Sequence, residues 1–302
     1  GAEDNGRNLD EPGPLMKIAL QRAVREGRAG KGTIFVWSGG NGGEVQDNVN
    51  YDGYANSIYV TAVAAVNDQG RQSSQSEPGA CLIVAALSDM GESSGRQAIT
   101  AVDLAGAAGL NTGREGDDLP DLEYTQFFGG SSAATAMVSG VVALMLEANS
   151  NLGWRDVQEI LIRSATKIDP SDADWITNAV GLHFNHKFGA GLANAGAAVR
   201  LATNWINLGA HTNVFLEQPN LSEPIPDNAP AGITRSFDFQ AVPPLRVEHA
   251  VLTATLSHPR RGELSLTLIS PQGTRSRLAE KHSDPNPDYK EWQFMSVFHW
   301  GE

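Results

Sequence analysis

The stretch Gly129-Gly-Ser-Ser-Ala-Ala-Thr-Ala-Met-Val-Ser-Gly-Val-Val-Ala-Leu-Met-Leu-Glu-Ala148 decides how this chain reads. Two glycines permit a tight backbone path that a side chain would block. Two serines follow, and then an almost wholly apolar run. From Ala133 onward the apolar residues fall on every side of a 3.6-residue period, which predicts a helix buried all round. The run is shorter than the roughly 20 apolar residues that a membrane crossing needs. A hydroxyl at the start of such a helix sits near unpaired N–H groups and the positive end of the dipole, where developing negative charge is favoured. Ser132 is therefore a candidate nucleophile. The same local sequence equally suits an N-cap at Ser131 or Ser132.

Upstream, Thr33-Ile-Phe-Val-Trp37 is a continuous β-branched and aromatic run, which predicts a buried parallel strand. It runs into Ser38-Gly-Gly-Asn-Gly-Gly43. A glycine-rich turn at the carboxyl end of a buried strand is where open α/β sheets place ligands. No Lys-Ser/Thr follows, so it is not a phosphate loop, and the dinucleotide glycine spacing also fails. Asn41 is the one functional side chain among these glycines. Its amide suits donation to an oxyanion, and a left-handed turn is the other use of an Asn here.

The remaining elements follow from periodicity. Residues 14–28 carry apolar groups at helical spacing, with Pro14 in the first turn and Gly27 at the end. Ser57–Ala64 and Ala80–Ala86 read as further buried strands. Segment 106–126 reads as an exposed excursion, residues 151–161 open a second helix, and residues 190–204 form an Ala-rich one. Beyond residue 205 most of the prolines appear and helical periodicity is lost. There Glu263-Leu-Ser-Leu-Thr-Leu268 alternates as a half-buried antiparallel strand does. Ser270-Pro-Gln-Gly273 fits a turn, and Arg246–His258 is another strand. The chain divides on this reading into an α/β part, 1–205, and an all-β part, 206–302.

Bulk properties narrow the function. The 302 residues suffice for two domains. A net charge of −13 argues against a nucleic-acid partner and is compatible with a basic substrate. The lone Cys81 rules out an intrachain disulfide framework. No signal peptide, lipidation pattern or membrane span is visible.

Several separated motifs together resemble the subtilisin-like serine proteases, and within them the kexin/furin group. Gly130-Ser-Ser-Ala-Ala-Thr-Ala-Met-Val-Ser-Gly140 is similar to the family's Gly-Thr-Ser-Ala/Met-Ala-x-Pro motif. Ser132 takes the nucleophile's place, Ser131 replaces the usual Thr and Ala136 the usual Pro. Ile34-Phe-Val-Trp-Ser-Gly-Gly-Asn-Gly-Gly43 resembles the segment holding the oxyanion Asn, here Asn41, with Ser38, Gly39 and Gly40 lining the substrate. Asp52-Gly-Tyr-Ala-Asn-Ser-Ile-Tyr59 is similar to the segment whose Asp floors the S1 pocket. Gly1-Ala-Glu-Asp-Asn-Gly6 resembles a segment whose Asp, here Asp4, serves S1 and a calcium ion. Asp47 and Glu77 match the other two calcium carboxylates, and Asp10 an acidic S4 position. Asp174-Trp and His186-Lys-Phe-Gly-Ala-Gly-Leu192 continue the likeness. Leu256-Ser-His-Pro-Arg-Arg-Gly-Glu-Leu264 and Ser270–Ser276 resemble the group's P domain, a jelly-roll-like β-sandwich.

The resemblance implies a mostly parallel α/β sheet with helices on both faces, followed by that P domain. It implies a Ca2+-dependent, secreted, periplasmic or cell-surface serine endopeptidase cleaving peptides or proteins after basic, paired residues. It also implies a triad in the order Asp, His, Ser. All seven histidines (His183, His186, His211, His249, His258, His282 and His299) follow Ser132. The expectation is therefore a fragment truncated at both ends and inactive in isolation, whose natural partner is the upstream part of its own domain. A pseudoprotease or scaffold with a β-sandwich interaction module is the alternative. An α/β-hydrolase esterase is disfavoured, because neither serine has Gly two residues later.

Overall fold

The computed structural model describes residues 3–89, 97–113, 118–219, 221–239 and 245–302. Pro14 opens helix α1 (Pro14–Gly30), and helical geometry is lost at Gly27, where the sequence places the end (φ −57°, ψ 151°). Arg28 and Ala29 then adopt left-handed backbone, φ 52° and 58°. That costly turn is held by the Arg28 guanidinium, which donates to the carbonyls of Leu152 at 2.9 Å and Ser150 at 3.2 Å.

Strands β1 (Phe35–Ser38), β2 (Val60–Val66) and β3 (Leu82–Leu87) form a parallel sheet in the order β1-β2-β3. Every residue of β2 is buried, and all of β3 except Leu87. The continuous apolar runs of the sequence become the core strands for that reason. The expectation that β1 is buried is corrected: each of its residues is partly exposed. Among the described residues it pairs with β2 alone and so forms an edge.

An antiparallel hairpin, β4 (Ile99–Val102) with β5 (Tyr124–Phe128), leads into α2 (Gly130–Ala148). The described part of the expected excursion is largely exposed, though its last residues belong to β5, and 114–117 lie outside the described residues. Asn111 ties this loop together, donating from Nδ2 to the carbonyls of Leu119, Asp121 and Tyr124.

Helix α2 lies against all three strands of the sheet. Ala134, Val138, Val142 and Met145 repeat at three- and four-residue intervals and form the buried stripe. The expectation of burial all round is thus corrected: Met137 is 40% and Leu144 49% exposed. Uniform apolarity could not reveal which face meets the sheet. The helix is also long and apolar enough, by length and composition, to cross a membrane, contrary to the sequence reading.

Helix α3 (Trp154–Ser164), the short strands β6 (Ile176–Thr177) and β7 (His183–Phe184), and α4 (Ala195–Thr203) follow. Asn194 caps α4, accepting the N–H of Ala197 at 3.0 Å. Gly209–Arg246 forms a separate compact unit, without helix or strand among its described residues.

The last segment holds β8 (Ala250–Leu256), β9 (Leu266–Ile269), β10 (Arg275–Ala279) and β11 (Tyr289–Ser296). β8 pairs with β11 and β9 with β10, both antiparallel. The predicted turn at Ser270–Gly273 closes β9 onto β10, with Gly273 N–H donating to Ser270 O at 2.9 Å. β9 alternates between half-buried and exposed residues, as its sequence pattern requires.

Val247–Glu302 packs into the same compact unit as Gly1–Leu208. Asn50 acts at this seam as an extra strand residue. Its Oδ1 accepts the N–H of Met295 at 2.8 Å, and its Nδ2 donates to Met295 O at 3.1 Å. Asn56 Nδ2 donates to Gln293 O at 2.7 Å. Two side-chain amides thereby fix the loop that carries Asp47 and Asp52 onto β11.

Candidate active site

The glycine turn after β1 and the start of α2 are joined by one side chain. Asn41 Oδ1 accepts the backbone N–H of Ser131 at 2.8 Å and its hydroxyl at 2.9 Å. The helix cap is thus supplied by a loop 90 residues away. Neither serine acts as the N-cap, a position held by Gly129. Gly130 (φ 69°) turns the chain beneath the amide, where a Cβ would stand 3.0 Å from Asn41 Oδ1. Ser131 is fully buried, and its Oγ also meets Ser38 Oγ at 2.5 Å.

Ser132 is exposed in the first helical turn. Backbone donors there have no partner one turn earlier. Because Asn41 Oδ1 is committed to Ser131, Nδ2 is left as the free donor; among the described residues it makes no hydrogen bond. A nucleophilic hydroxyl, a helix-start N–H and a side-chain amide donor are the parts an acyl-transfer site needs for its attacking atom and its oxyanion.

A base is not among them. No histidine hydrogen-bonds Ser132 among the described residues. His183 packs edge-on to Trp175, His186 Nε2 meets Glu280 Oε2 at 3.0 Å, and His249 lies between Trp154 and Trp300. His258 Nδ1 bonds Arg260 O, and His282 stacks on Tyr51. His299 is buried with Glu302 3.8 Å away. His211 lies in the separate unit.

The acidic residues gather on the other side of Asn41. Asp4 Oδ2 accepts the N–H of Asn41 at 2.9 Å, and Glu77 Oε1 that of Gly42 at 2.9 Å. Asp47 accepts from Gly6 and Asn48, each at 2.8 Å. Asp52 Oδ1 accepts the N–H of Tyr54 at 2.7 Å, and Asp10 O that of Gly53 at 2.7 Å. Tyr54 stacks on Trp37 with ring centroids 5.4 Å apart.

Burial raises the Glu77 carboxyl well above the ordinary glutamate range, and the negative charges of Asp47, Asp4 and Asp52 add to the rise. Burial also raises Asp47, further helped by Asp4, although the Gly6 and Asn48 hydrogen bonds oppose it. Asp52 is raised by burial first, with a contribution from Asp10. Each shift reports first the burial of a negative group, with like charges nearby adding to it.

Among the described residues no three His, Cys, Asp or Glu side chains form a ready metal cage. Asp4, Asp47 and Glu77 each spend an oxygen on a backbone N–H. The donor set nevertheless fits a hard cation, being oxygen-only, mutually repelling and, among the described residues, outside every Lys or Arg ion pair.

The sequence reading missed the coupling of Ser38, Ser131 and Asn41, because no local pattern links hydroxyls 93 residues apart. It also missed His282, which from the last segment of the chain opposes the rise of the Asp47 carboxyl.

The Subtilase family profile matches residues 2–191, and the proprotein convertase P-domain profile matches 247–302. The chain is 34% identical over its whole length to the PC3-like endoprotease variant B of Hydra vulgaris, covering 41% of that protein. It is likewise 34% identical to human furin, covering 36% of it. It therefore spans about two fifths of the length of these relatives. The crystal structure of the Aeromonas sobria serine protease with a chaperone superposes with a TM-score of 0.85. At 22% identity, that match covers 100% of this chain and 61% of that one, and it shows a shared fold.

Proposed function

Because this chain belongs to the subtilase family, we propose that the whole protein is a serine endopeptidase cleaving after basic residues, with Ser132 as nucleophile. The observation that carries this reading is the Asn41–Ser131 pairing, which ties the Asn41 side chain to the start of α2, where the next residue, Ser132, is exposed.

Ser132 Oγ attacks the scissile carbonyl carbon. The carbonyl oxygen gains negative charge and receives hydrogen bonds from Asn41 Nδ2 and the Ser132 N–H. The proton of Ser132 passes to a histidine that these 302 residues do not supply. Asp52, with Asp4 and Asp10 nearby, meets the basic side chain of the substrate, while Ser38, Gly39 and Gly40 line its path. The raised carboxyls of the pocket support a cationic occupant. A bound arginine or lysine restores the charge balance that the folded chain lacks.

We assign Asp4, Asp47 and Glu77 as the ligands of a Ca2+ ion. When bound, the ion would lower the negative charge of the pocket and brace the 41–47 loop. These residues themselves fix that loop by holding the N–H groups of Asn41, Gly6 and Gly42.

The test uses the full-length protein and peptides containing Arg-Arg-X. Ser132→Ala should abolish cleavage. Asn41→Ala should lower kcat by about 10²–10³-fold with KM little changed. Cleavage after Leu or Phe as fast as after Arg would sink the basic specificity. An inert full-length protein would favour the scaffold alternative. The isolated 302-residue chain should resist phosphonate labelling at Ser132, and labelling there would contradict the missing base.

A further inference from the structure

The sequence contains two Asn-Gly pairs, Asn5-Gly6 and Asn41-Gly42, and one Asp-Gly pair, Asp52-Gly53. These are the dipeptides in which a chain most readily attacks its own side chain, because glycine leaves the following nitrogen unshielded. At Asn41 the Gly42 nitrogen would attack Cγ. An N–Cγ bond forms, the Cγ–Nδ2 bond breaks, and the amide nitrogen leaves as ammonia with the Gly42 proton. Water then opens the five-membered imide at either carbonyl, leaving aspartate or isoaspartate.

Slower residues cannot replace these glycines. A Cβ at Gly42 would stand 2.6 Å from Asp47 Cβ and 3.0 Å from the Asp4 carbonyl carbon. Gly6 has φ 66°, and its Cβ would meet Val45 O at 3.0 Å. The packing that gathers the acidic loops therefore forces a chemically labile sequence into the site.

The structure immobilises both partners of the reaction at each pair. The Gly42 N–H is held by Glu77 Oε1 at 2.9 Å, and Asn41 Oδ1 by the Ser131 N–H and hydroxyl. The Gly6 N–H is held by Asp47 Oδ2 at 2.8 Å, and Asn5 Oδ1 by the N–H groups of Arg7 and Asn8 at 2.8 and 3.1 Å. The Gly53 N–H is held by Asp10 O at 2.7 Å, and Asp52 Oδ1 by the Tyr54 N–H at 2.7 Å. A carboxylate on the attacking N–H opposes its deprotonation, since an amidate would face a second negative charge. Fixing Oδ1 prevents the side chain from swinging Cγ onto the following nitrogen.

We propose that Asn41 is a latent deamidation site, kept intact by Glu77 on the nucleophile and Ser131 on the electrophile. Asn5 is kept intact in the same way by Asp47. Conversion at position 41 removes the Nδ2 donor and puts a negative charge where the oxyanion would form. That consequence rests on the function proposed above; the chemistry at Asn41 does not.

The experiment ages the 302-residue chain in mildly alkaline buffer. It follows Asn5 and Asn41 separately, by the mass gained when NH2 becomes OH and by isoaspartate in the digested peptides. Neither readout needs peptidase activity, so a failure here is distinct from a failure of the functional reading. In the folded wild type both sites should convert at least about tenfold more slowly than in urea, the factor expected from one charge-assisted hydrogen bond. Glu77→Ala should accelerate Asn41 while Asn5 stays slow, with Glu77→Gln intermediate. Asp47→Ala should do the reverse, and Ser131→Ala should accelerate Asn41 alone. Global unfolding of a variant would accelerate both sites equally. Equal acceleration in every variant, no acceleration in any, or folded wild type converting at the urea rate would each overturn the assignment.

Discussion

Around Asn41 the carboxylates of Asp47, Asp52 and Glu77 meet backbone N–H groups, and the charges of Asp47 and Asp52 bear on Glu77. Along the seam with residues 247–302, the Glu280 carboxylate instead meets His186 at 3.0 Å, and to either side of it Asp172 meets Lys187 at 2.5 Å and Asp284 meets Arg261 at 2.6 Å. The carboxyl groups respond in opposite directions. Burial raises Glu77, Asp47 and Asp52. At Asp172 and Glu280 burial also pushes upward, but the hydrogen bonds from Lys187 and His186 prevail, and both groups fall below their ordinary values. The same residue type thus serves two ends. At and beside the seam, negative charge is paired with the chain's own basic groups, and His186–Glu280 and Asp174–Arg277 join the two segments. In the pocket no Lys or Arg among the described residues pairs with it, an arrangement that a cation from outside would complete.

The largest effect that could break this contrast lies at the seam. Arg261 and Asp284 are 11% and 1% exposed, and the Arg261 guanidinium also donates to Arg7 O at 2.6 Å. Arg261→Ala strands a buried carboxylate, so denaturant unfolding should show a loss of about 3–5 kcal/mol. Glu77→Gln is the matching change in the pocket. It keeps an oxygen for the Gly42 N–H but removes a charge that repels Asp47. Without divalent cation it should leave stability equal or higher. A comparable loss in both variants would show that the pocket carboxylates are already neutralised within the fold.

Acidity offers a second, smaller separation. A carboxyl raised by folding is penalised once ionised, so its cost is absent below its unfolded pKa and grows as pH rises through the folded one. For Glu77 that penalty sets in above the ordinary glutamate value of 4.5. A carboxyl lowered by folding contributes stability above its unfolded pKa and loses it as pH falls through the folded value. For Asp172 that loss lies below 3.8. In chelator, Tm should therefore fall as pH rises above the ordinary glutamate range, and fall again in strong acid. Ca2+ should flatten the first slope and leave the second unchanged. A Ca2+-independent upper slope would break the assignment of Asp4, Asp47 and Glu77.

Most of this architecture was legible in the sequence, and the failures share a cause. Continuous apolar runs located β2 and β3, because burial on both faces removes any need for alternation. Pro14 and Gly27 marked where α1 begins and where its helical geometry ends, because both act through local backbone preference. The exposed faces of α2 and β1 were illegible, since a uniformly apolar segment does not state how much of it finds a partner. The site was legible as separate motifs, while its connections were not. Ser131 meeting Asn41, Asn50 standing in for a strand beside Met295, and His282 acting on Asp47 join residues far apart in the chain. Long-range contacts of that kind leave no periodic trace.

The smallest effect sharpens the contrast from its weak side. Arg277 reaches both Asp174 at 2.7 Å and Glu280 at 3.0 Å, yet its side chain is 44% exposed. Solvent screens such a pair, and ordering a long side chain offsets much of its attraction, so Arg277→Ala should cost only about 0–1 kcal/mol. That small loss should shrink further in high salt, whereas the Arg261→Ala loss should persist, because Debye screening acts far less on buried charges. If Arg277→Ala proved as damaging as Arg261→Ala, the seam would act as one cooperative network through Asp174, Lys187 and Asp172. Its resistance to acid would then belong to the whole chain of charges, and a double variant with Lys187→Ala would show strong non-additivity.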